Sequence, residues 1–302
     1  MLEFWREQGV SEALLRGVEE YRRRYPWQGG RGLARPRYPY YGREVLEAAA
    51  AAMLAGENLL LAGPKATGKN VLAETLAAAF GRPDWNVSFH INMDAASLLG
   101  TDTFRDGAVV FRPGPVYACA SAGGFGILDE INMARNEALA VLHSLLDFRR
   151  ILDVPGQGRL QLHPAARFVA TMNHGYAGTR ELNEALASRF VVLQMPPLDG
   201  EGLEKLLGAE FPRLSGKGRA LFAGLFLDLR QKYENAEISG KAVDLRGLLD
   251  ALRLAELGLP VRRALDMGIT NKCFDEEERN LVADSISLRI SPHMMGEALF
   301  AR

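Results

Sequence analysis

The sequence predicts an α/β fold, a parallel sheet covered by helices on both faces, followed by a separate all-helical domain. Three observations predict it. From about residue 43, short apolar runs alternate with helical stretches. Two of those runs end in residues suited to the carboxyl edge of an open sheet: "NLLLAGPKATGKN" turns through glycines into a helix, and "GFGILDE" closes on two acids. After Pro196-Pro197 the strand-like runs stop and only helical periodicity continues.

The elements follow in order. Residues 11–24 read as a helix, with Leu14, Leu15, Val18 and Tyr21 on one face. "PWQGGRGLARPRYPYYG" (26–42) is rich in Gly, Pro, Arg and aromatics and reads as a solvated linker lying over a surface. "REVLEAAAAAMLAG" is an Ala-rich helix, "NLLLAG" a buried strand, and a helix runs from Gly68 to about Phe80. "NVSFHIN" is the second strand, "GFGILDE" the third, "EALAVLHSLLD" a helix, "RFVATMN" the fourth strand and "FVVLQM" the fifth. Two hairpins interrupt this series: "TFRDGAVVFRPG" (103–114) around Asp106-Gly107, and "RRILDVPGQGRLQLHP" (149–164) around Pro155-Gly156-Gln157-Gly158. In the last hundred residues, "ALFAGLFLDLRQKY", "VDLRGLLDALRLAEL" and "EEERNLVADSISL" all have helical period. The expected boundaries are an N-terminal helix and linker over 1–39, an α/β domain over 40–198 and a helical domain over 199–302.

Composition narrows the function classes. Apolar residues make up 48% and charged residues 24%, which is the balance of an ordinary globular protein. A net charge of −1 argues against a nucleic-acid binder that works by overall basicity. The two cysteines, Cys119 and Cys273, match no metal-ligand spacing and read as small core residues. The stretch "MLEFWREQGVSEALLRGVEE" lacks an apolar signal core, and "AAAAAMLAGENLLLAG" is broken by Gly56, Glu57 and Asn58 before it could span a bilayer. The expectation is a cytoplasmic protein with no membrane insertion.

The chemistry gathers at the strand ends. "GPKATGKNV" holds Gly63, Pro64, Lys65, Ala66, Thr67, Gly68, Lys69, Asn70 and Val71 between a strand and a helix, in the spacing of a phosphate-binding loop. Backbone N–H groups of such a turn cradle anionic oxygens, and the helix N-terminus adds its positive end. Lys69 is placed to reach the β and γ phosphates, so ATP is the expected ligand. Asp129 is placed to hold Mg²⁺ and Glu130 to polarise an attacking water. Asn173 ends another strand, where a neutral amide positions a nucleophile without adding charge. Arg189 stands just before the fifth strand and Arg246 near the start of a helix in the last domain; arginine stabilises a transferring γ-phosphoryl. Taken singly, Arg189 reads also as one side of a surface ion pair, and Arg246 reads better as a surface cation than as a site residue. The five histidines show no ligand spacing; His174, after Asn173, reads as a loop residue beside the site.

With these motifs in this order, the chain resembles the AAA+ ATPases, and within them the MoxR-like branch of CbbQ/NirQ/NorQ type. The resemblance spans about residues 40–290 and rests above all on "FRPGPVYACASAGGFGILDEINMARNEALAVLHSLLD" followed by "TMNHGYAGTRELNEALASRF". It implies that Lys69 is the Walker A lysine, Asp129 and Glu130 the Walker B pair, Asn173 sensor 1, Arg189 the arginine finger and Arg246 sensor 2. It also implies that residues 199–302 form the lid, matched by "SGKAVDLR". A homo-oligomeric ring, usually a hexamer, follows, because each finger serves a neighbour's ATP. So does remodelling of a client protein beside a partner with a von Willebrand A domain.

Two residues depart from the family pattern. Asn70 stands where a Ser or Thr hydroxyl normally ligates Mg²⁺, and Ser188 where an acid often precedes the finger. An amide carbonyl is still a hard oxygen ligand. Binding is therefore expected, with hydrolysis slow or partner-dependent. Two other readings stay open: an ATP-dependent assembly module with weak turnover, which Asn70 favours, and the motor subunit of a McrB-like DNA-directed complex. The absence of an attached DNA-reading domain weighs against the second.

Overall fold

The computed structural model describes residues 1–37, 39–173 and 181–301. The chain divides into two units, Met1–Pro196 and Pro197–Arg302.

The first unit opens with helices α1 (Leu2–Glu7), α2 (Glu12–Arg24) and α3 (Arg43–Ala55), which lead to strand β1 (Leu59–Gly63). Helix α4 (Lys69–Ala79) and strand β2 (Asp84–Ser88) follow. Helices α5 (Ala95–Leu99) and α6 (Pro115–Ala122) flank a hairpin of β3 (Gly100–Arg105) and β4 (Ala108–Pro113), before β5 (Phe125–Asp129). Helices α7 (Asn136–Leu139) and α8 (Leu142–Leu146) precede a second hairpin, β6 (Ile151–Val154) and β7 (Gly158–Gln161). Strand β8 (Arg167–Asn173), helix α9 (Glu184–Ala187) and strand β9 (Val191–Gln194) complete the unit.

Five strands form one parallel sheet in the order β2-β5-β8-β1-β9. Side chains alternate across it. Leu59, Leu61, Phe125, Ile127 and Val169 enter one core; Leu60, Leu128, Phe168 and Ala170 enter the other. Both faces are thus buried, as a parallel sheet flanked by helices requires. The register puts the carboxyl ends of β1, β8 and β5 side by side: Gly63 pairs with Asn173, and Leu128 with Ala170. This is the P-loop NTPase arrangement of an AAA+ fold, and the parallel sheet expected from the sequence is present.

Three local expectations are corrected. Residues 1–39 do not stand apart from the α/β domain but belong to the first unit, although the stretch after α2 does lie over its surface, mostly exposed, as expected. Trp5, Leu15, Val18 and Tyr21 share one core cluster with Met53, Leu61 and Phe80, and the Tyr21 hydroxyl donates to Ala165 O at 2.5 Å. Among its described residues the segment after α2 forms no helix or strand but is tied down by hydrogen bonds and by the buried Ala34 and Tyr40. Arg31 Nε donates to Asp84 O at 2.9 Å and its guanidinium lies 4.6 Å from the Trp85 ring centre. Ala34 N–H donates to Arg82 O at 3.2 Å, and Arg82 itself donates to the carbonyls of Tyr25, Ala122 and Gly123. Second, β2 covers Asp84–Ser88 rather than residues 86–92, because its pairing with β5 begins at Asp84↔Phe125. Third, the helix expected over 137–147 is two short ones; the His143 N–H reaches Ala140 O, three residues back, at the break.

Both hairpins form where the sequence places them. The first turns at Asp106 and Gly107, with φ of 51° and 83°, a left-handed pair suited to a two-residue turn. Both cysteines are buried and unbridged.

The second unit holds α10 (Gly200–Glu210), α11 (Gly216–Glu234), α12 (Leu245–Glu256), α13 (Val261–Gly268) and α14 (Glu276–Arg289). Among its described residues there is no strand, only an isolated bridge between Leu214 and Phe300. Helices α12 and α13 approach closely where glycines meet: a Cβ on Gly247 would stand 2.1 Å from Gly268 O. Among the described residues no helix is long and apolar enough to cross a membrane.

Candidate functional site

The turn between β1 and α4 is built by backbone constraint. Gly63 and Gly68 have φ of 154° and 80°, and a Cβ on Gly68 would lie 3.1 Å from the Tyr40 ring. Ala66 takes a left-handed conformation (φ 61°), unusual for a residue with a side chain. Thr67 Oγ1 donates to Pro64 O at 3.1 Å and braces the turn from inside. The Tyr40 N–H donates to Thr75 Oγ1 at 3.0 Å, so the segment before α3 is fastened to α4 beside the loop.

Lys69 opens α4 and is 8% exposed. Its ammonium donates to Gly63 O at 2.9 Å and Pro64 O at 2.6 Å, with Thr67 Oγ1 at 3.3 Å. Burial lowers its pKa to about 8, against the pull of Asp129 and Glu130, which favour the charged form. Those two carboxylates lie near enough to Lys69 to act on its charge, so the three residues expected to work together share one locality.

Asp129 and Glu130 end β5 and are held from β8. Thr171 Oγ1 donates to Asp129 Oδ1 at 2.6 Å and accepts the Glu130 N–H at 2.9 Å. Glu130 has φ 55°, again left-handed without being glycine. Its Oε1 accepts from Asn173 Nδ2 at 2.8 Å, and Asn173 O accepts from Asn132 Nδ2 at 3.0 Å. The sequence indicated Asp129, Glu130 and Asn173 but not Thr171. The only signal for Thr171 was a hydroxyl two positions before Asn173 on an otherwise apolar strand, hence on the same face.

Asn70 carries a second observation. Its Oδ1 is buried and has no hydrogen-bond partner. A buried carbonyl left unpaired costs about 1–3 kcal/mol, and a bound cation would satisfy it. Asp129 Oδ1 is used by Thr171, while its other oxygen has no hydrogen bond among those described. Among the described residues no cluster of three His, Cys, Asp or Glu could hold a metal alone. Asn70 Oδ1 and the second oxygen of Asp129 are hard oxygen donors, the ligand type Mg²⁺ takes when nucleotide phosphates complete its shell.

Arg189 is not at this edge of the sheet. Arg189 precedes β9, whose first residue Val191 pairs with Leu59, the first of β1. Four residue steps, about 13 Å, separate Leu59 from Gly63 along the strand, so Arg189 stands at the amino edge of the sheet, opposite the loop. Its Nε donates to His143 O at 3.1 Å and another guanidinium nitrogen to Ala185 O. Asn58 fixes that corner by donating to Leu146 O and Arg189 O. Arg246 lies in the second unit, exposed on the first turn of α12. His174 lies outside the described residues.

Comparisons with known proteins agree with this geometry. The profile of the AAA domain, dynein-related subfamily, matches residues 58–190, from just before β1 to the residue before β9. The chain is similar to the uncharacterized protein YojN of Bacillus subtilis, 35% identical over 243 residues, which cover 79% of this chain and 80% of YojN. It is similar to SSP1341 of Staphylococcus saprophyticus, 33% identical over 262 residues, with 85% and 99% covered. SH1500 of Staphylococcus haemolyticus is 35% identical over 238 residues, with 77% and 90% covered.

Proposed function

The chain belongs to the AAA+ family, in one group with YojN of Bacillus subtilis, and from that premise we propose that it binds ATP with Mg²⁺, hydrolyses it, and uses turnover to remodel or activate a client protein. The observation that carries the reading is the hydrogen bond from Asn173 to Glu130, formed at the carboxyl edge where Lys69 and Asp129 also stand.

The residues divide the work as follows. The loop Gly63–Val71 takes the phosphates on backbone N–H groups and the amino end of α4. Lys69 exchanges its carbonyl partners for phosphate oxygens, a bond between two opposite charges in place of one between a charge and a neutral carbonyl. Asn70 and Asp129 would hold the Mg²⁺, which would neutralise charge on the phosphates. Glu130 takes a proton from the attacking water, and Asn173 fixes the direction its carboxylate faces. Arg189 cannot serve its own chain's loop from the opposite edge, which supports a finger acting on a neighbour's γ-phosphoryl in a homo-oligomeric ring, a hexamer on the family pattern. Arg246 is assigned the second sensor role on resemblance. The client and a von Willebrand A partner belong to the same MoxR-like reading.

A second reading is favoured by one residue. Asn70 in place of a hydroxyl suits an ATP-loaded assembly whose binding matters more than its turnover.

Calorimetry of ATP binding to Lys69→Ala tests the nucleotide assignment. Loss of a buried charged donor is worth ~1.5–3 kcal/mol, or about 10- to 100-fold in affinity. Wild-type affinity in that variant rejects this loop as the phosphate site.

A further inference from the structure

We propose that Thr171 is a positioning residue of this site, setting the Asp129 carboxylate and the Glu130 backbone through one hydroxyl; the proposal rests on the nucleotide reading above.

Thr171 lies on β8, is 1% exposed, and follows Phe168, Val169 and Ala170. A hydroxyl buried in such a strand is unfavourable unless bonded, and valine would keep the shape and strand preference without it. The hydroxyl is bonded twice, and both bonds go to the pair of acids. A hydroxyl has one hydrogen and two lone pairs. An ionised carboxylate only accepts, so the hydrogen belongs to Asp129 Oδ1, and a lone pair remains for the Glu130 N–H.

Each bond has a distinct consequence. The first directs Asp129 by occupying one oxygen and leaving the other for a cation. The second fastens the Glu130 backbone in its left-handed conformation, which side-chain-bearing residues seldom hold without support. Asn173, two residues on along the same face of β8, then takes the Glu130 carboxylate. One strand thus holds the metal-binding acid, the backbone of the base and the carboxylate of the base from a single face.

The test compares wild type with Thr171→Val, Thr171→Ala and Thr171→Ser. It measures ATP affinity in EDTA, Mn²⁺ affinity of the ATP complex by paramagnetic resonance, steady-state phosphate release, and thermal melting. Partners that orient metal ligands typically contribute 10- to 100-fold to metal affinity or activity. Thr171→Val and Thr171→Ala are expected to lose that much in Mn²⁺ affinity and in turnover, with ATP affinity in EDTA unchanged. Thr171→Ser, which keeps the hydroxyl, is expected to return within about threefold of wild type. Val and Ser variants equally impaired, or a Val variant that matches an active wild type, overturn the role of the hydroxyl. A wild-type chain that neither binds ATP nor responds to the cation overturns the nucleotide reading and this proposal with it. If Thr171→Val fails to fold, Thr171→Ala and Thr171→Ser decide the same question.

Discussion

Asn173 Nδ2 lies 2.8 Å from Glu130 Oε1, so a strand-end amide on β8 holds the acid that follows β5. Because the amide donates and the acid accepts, glutamine at 130 can keep this bond through its own carbonyl. Glu130→Gln should therefore preserve the arrangement and ATP affinity while losing the ability to take a proton. Turnover is expected to fall ~10²–10⁴-fold, the usual worth of a general base. Phosphate release at saturating ATP reads it, and a variant that hydrolyses at the wild-type rate removes Glu130 from the reaction.

Arg189 gives a prediction about assembly. It sits at the amino edge of the sheet and the loop at the carboxyl edge, so a finger role requires a second chain. Arg189→Ala chains keep their own Glu130, and Glu130→Gln chains keep their own Arg189. Mixing two inactive proteins should restore part of the phosphate release, with a maximum at intermediate ratios. Mixed rings that form yet stay inactive at every ratio would place the site within one chain.

Much of this was legible because it is local. The loop from Gly63 to Asn70 and the strand closing on Asp129-Glu130 are contiguous, strands β1, β5 and β8 declare themselves by apolar runs buried on both faces, and β9, though an exposed edge strand, by its run Val191-Val192-Leu193. Strand β2 was displaced because it is a half-exposed edge strand, so hydropathy marks its ends poorly and only pairing with β5 fixes them. The segment 26–42 is mostly exposed, as it read, but its anchors were not legible, because they are arginines bonding distant carbonyls, as Arg31 does at Asp84. Thr171 escaped notice for a related reason. One hydroxyl in a strand has no periodicity, and its partners lie 41 and 42 residues away.

The N-terminal helices supply a stability prediction. Trp5 is fully buried among Leu15, Val18, Met53 and their neighbours. Truncating a buried tryptophan to alanine costs about 3–5 kcal/mol. All three tryptophans, at 5, 27 and 85, lie in the first unit. In Trp5→Ala the remaining fluorescence therefore reports that unit's urea transition alone. A loss of that size is expected; a shift worth less than ~1 kcal/mol, within surface-substitution range, would mean the N-terminus is not part of this core.

Asn70 decides whether hydrolysis is the evolved task. Its Oδ1 is buried and unpaired, a cost of about 1–3 kcal/mol that the fold bears unless a cation relieves it. The oxygen is therefore available as a ligand, but it is carried on a planar amide bulkier than the hydroxyl usual at this place. A cation drawn to that oxygen is displaced from the position a hydroxyl would set, while Lys69 and the backbone still hold the phosphates. Asn70→Thr is expected to raise turnover and to bring half-maximal rate to a lower Mg²⁺ concentration, with ATP affinity in EDTA unchanged. Phosphate release against Mg²⁺ at matched oligomeric state measures this. A fall in turnover would show a loop tuned to the amide, which favours the assembly reading over the motor. Superimposable curves would show that residue 70 does not touch the metal, and the buried carbonyl would then be a structural cost with no catalytic counterpart.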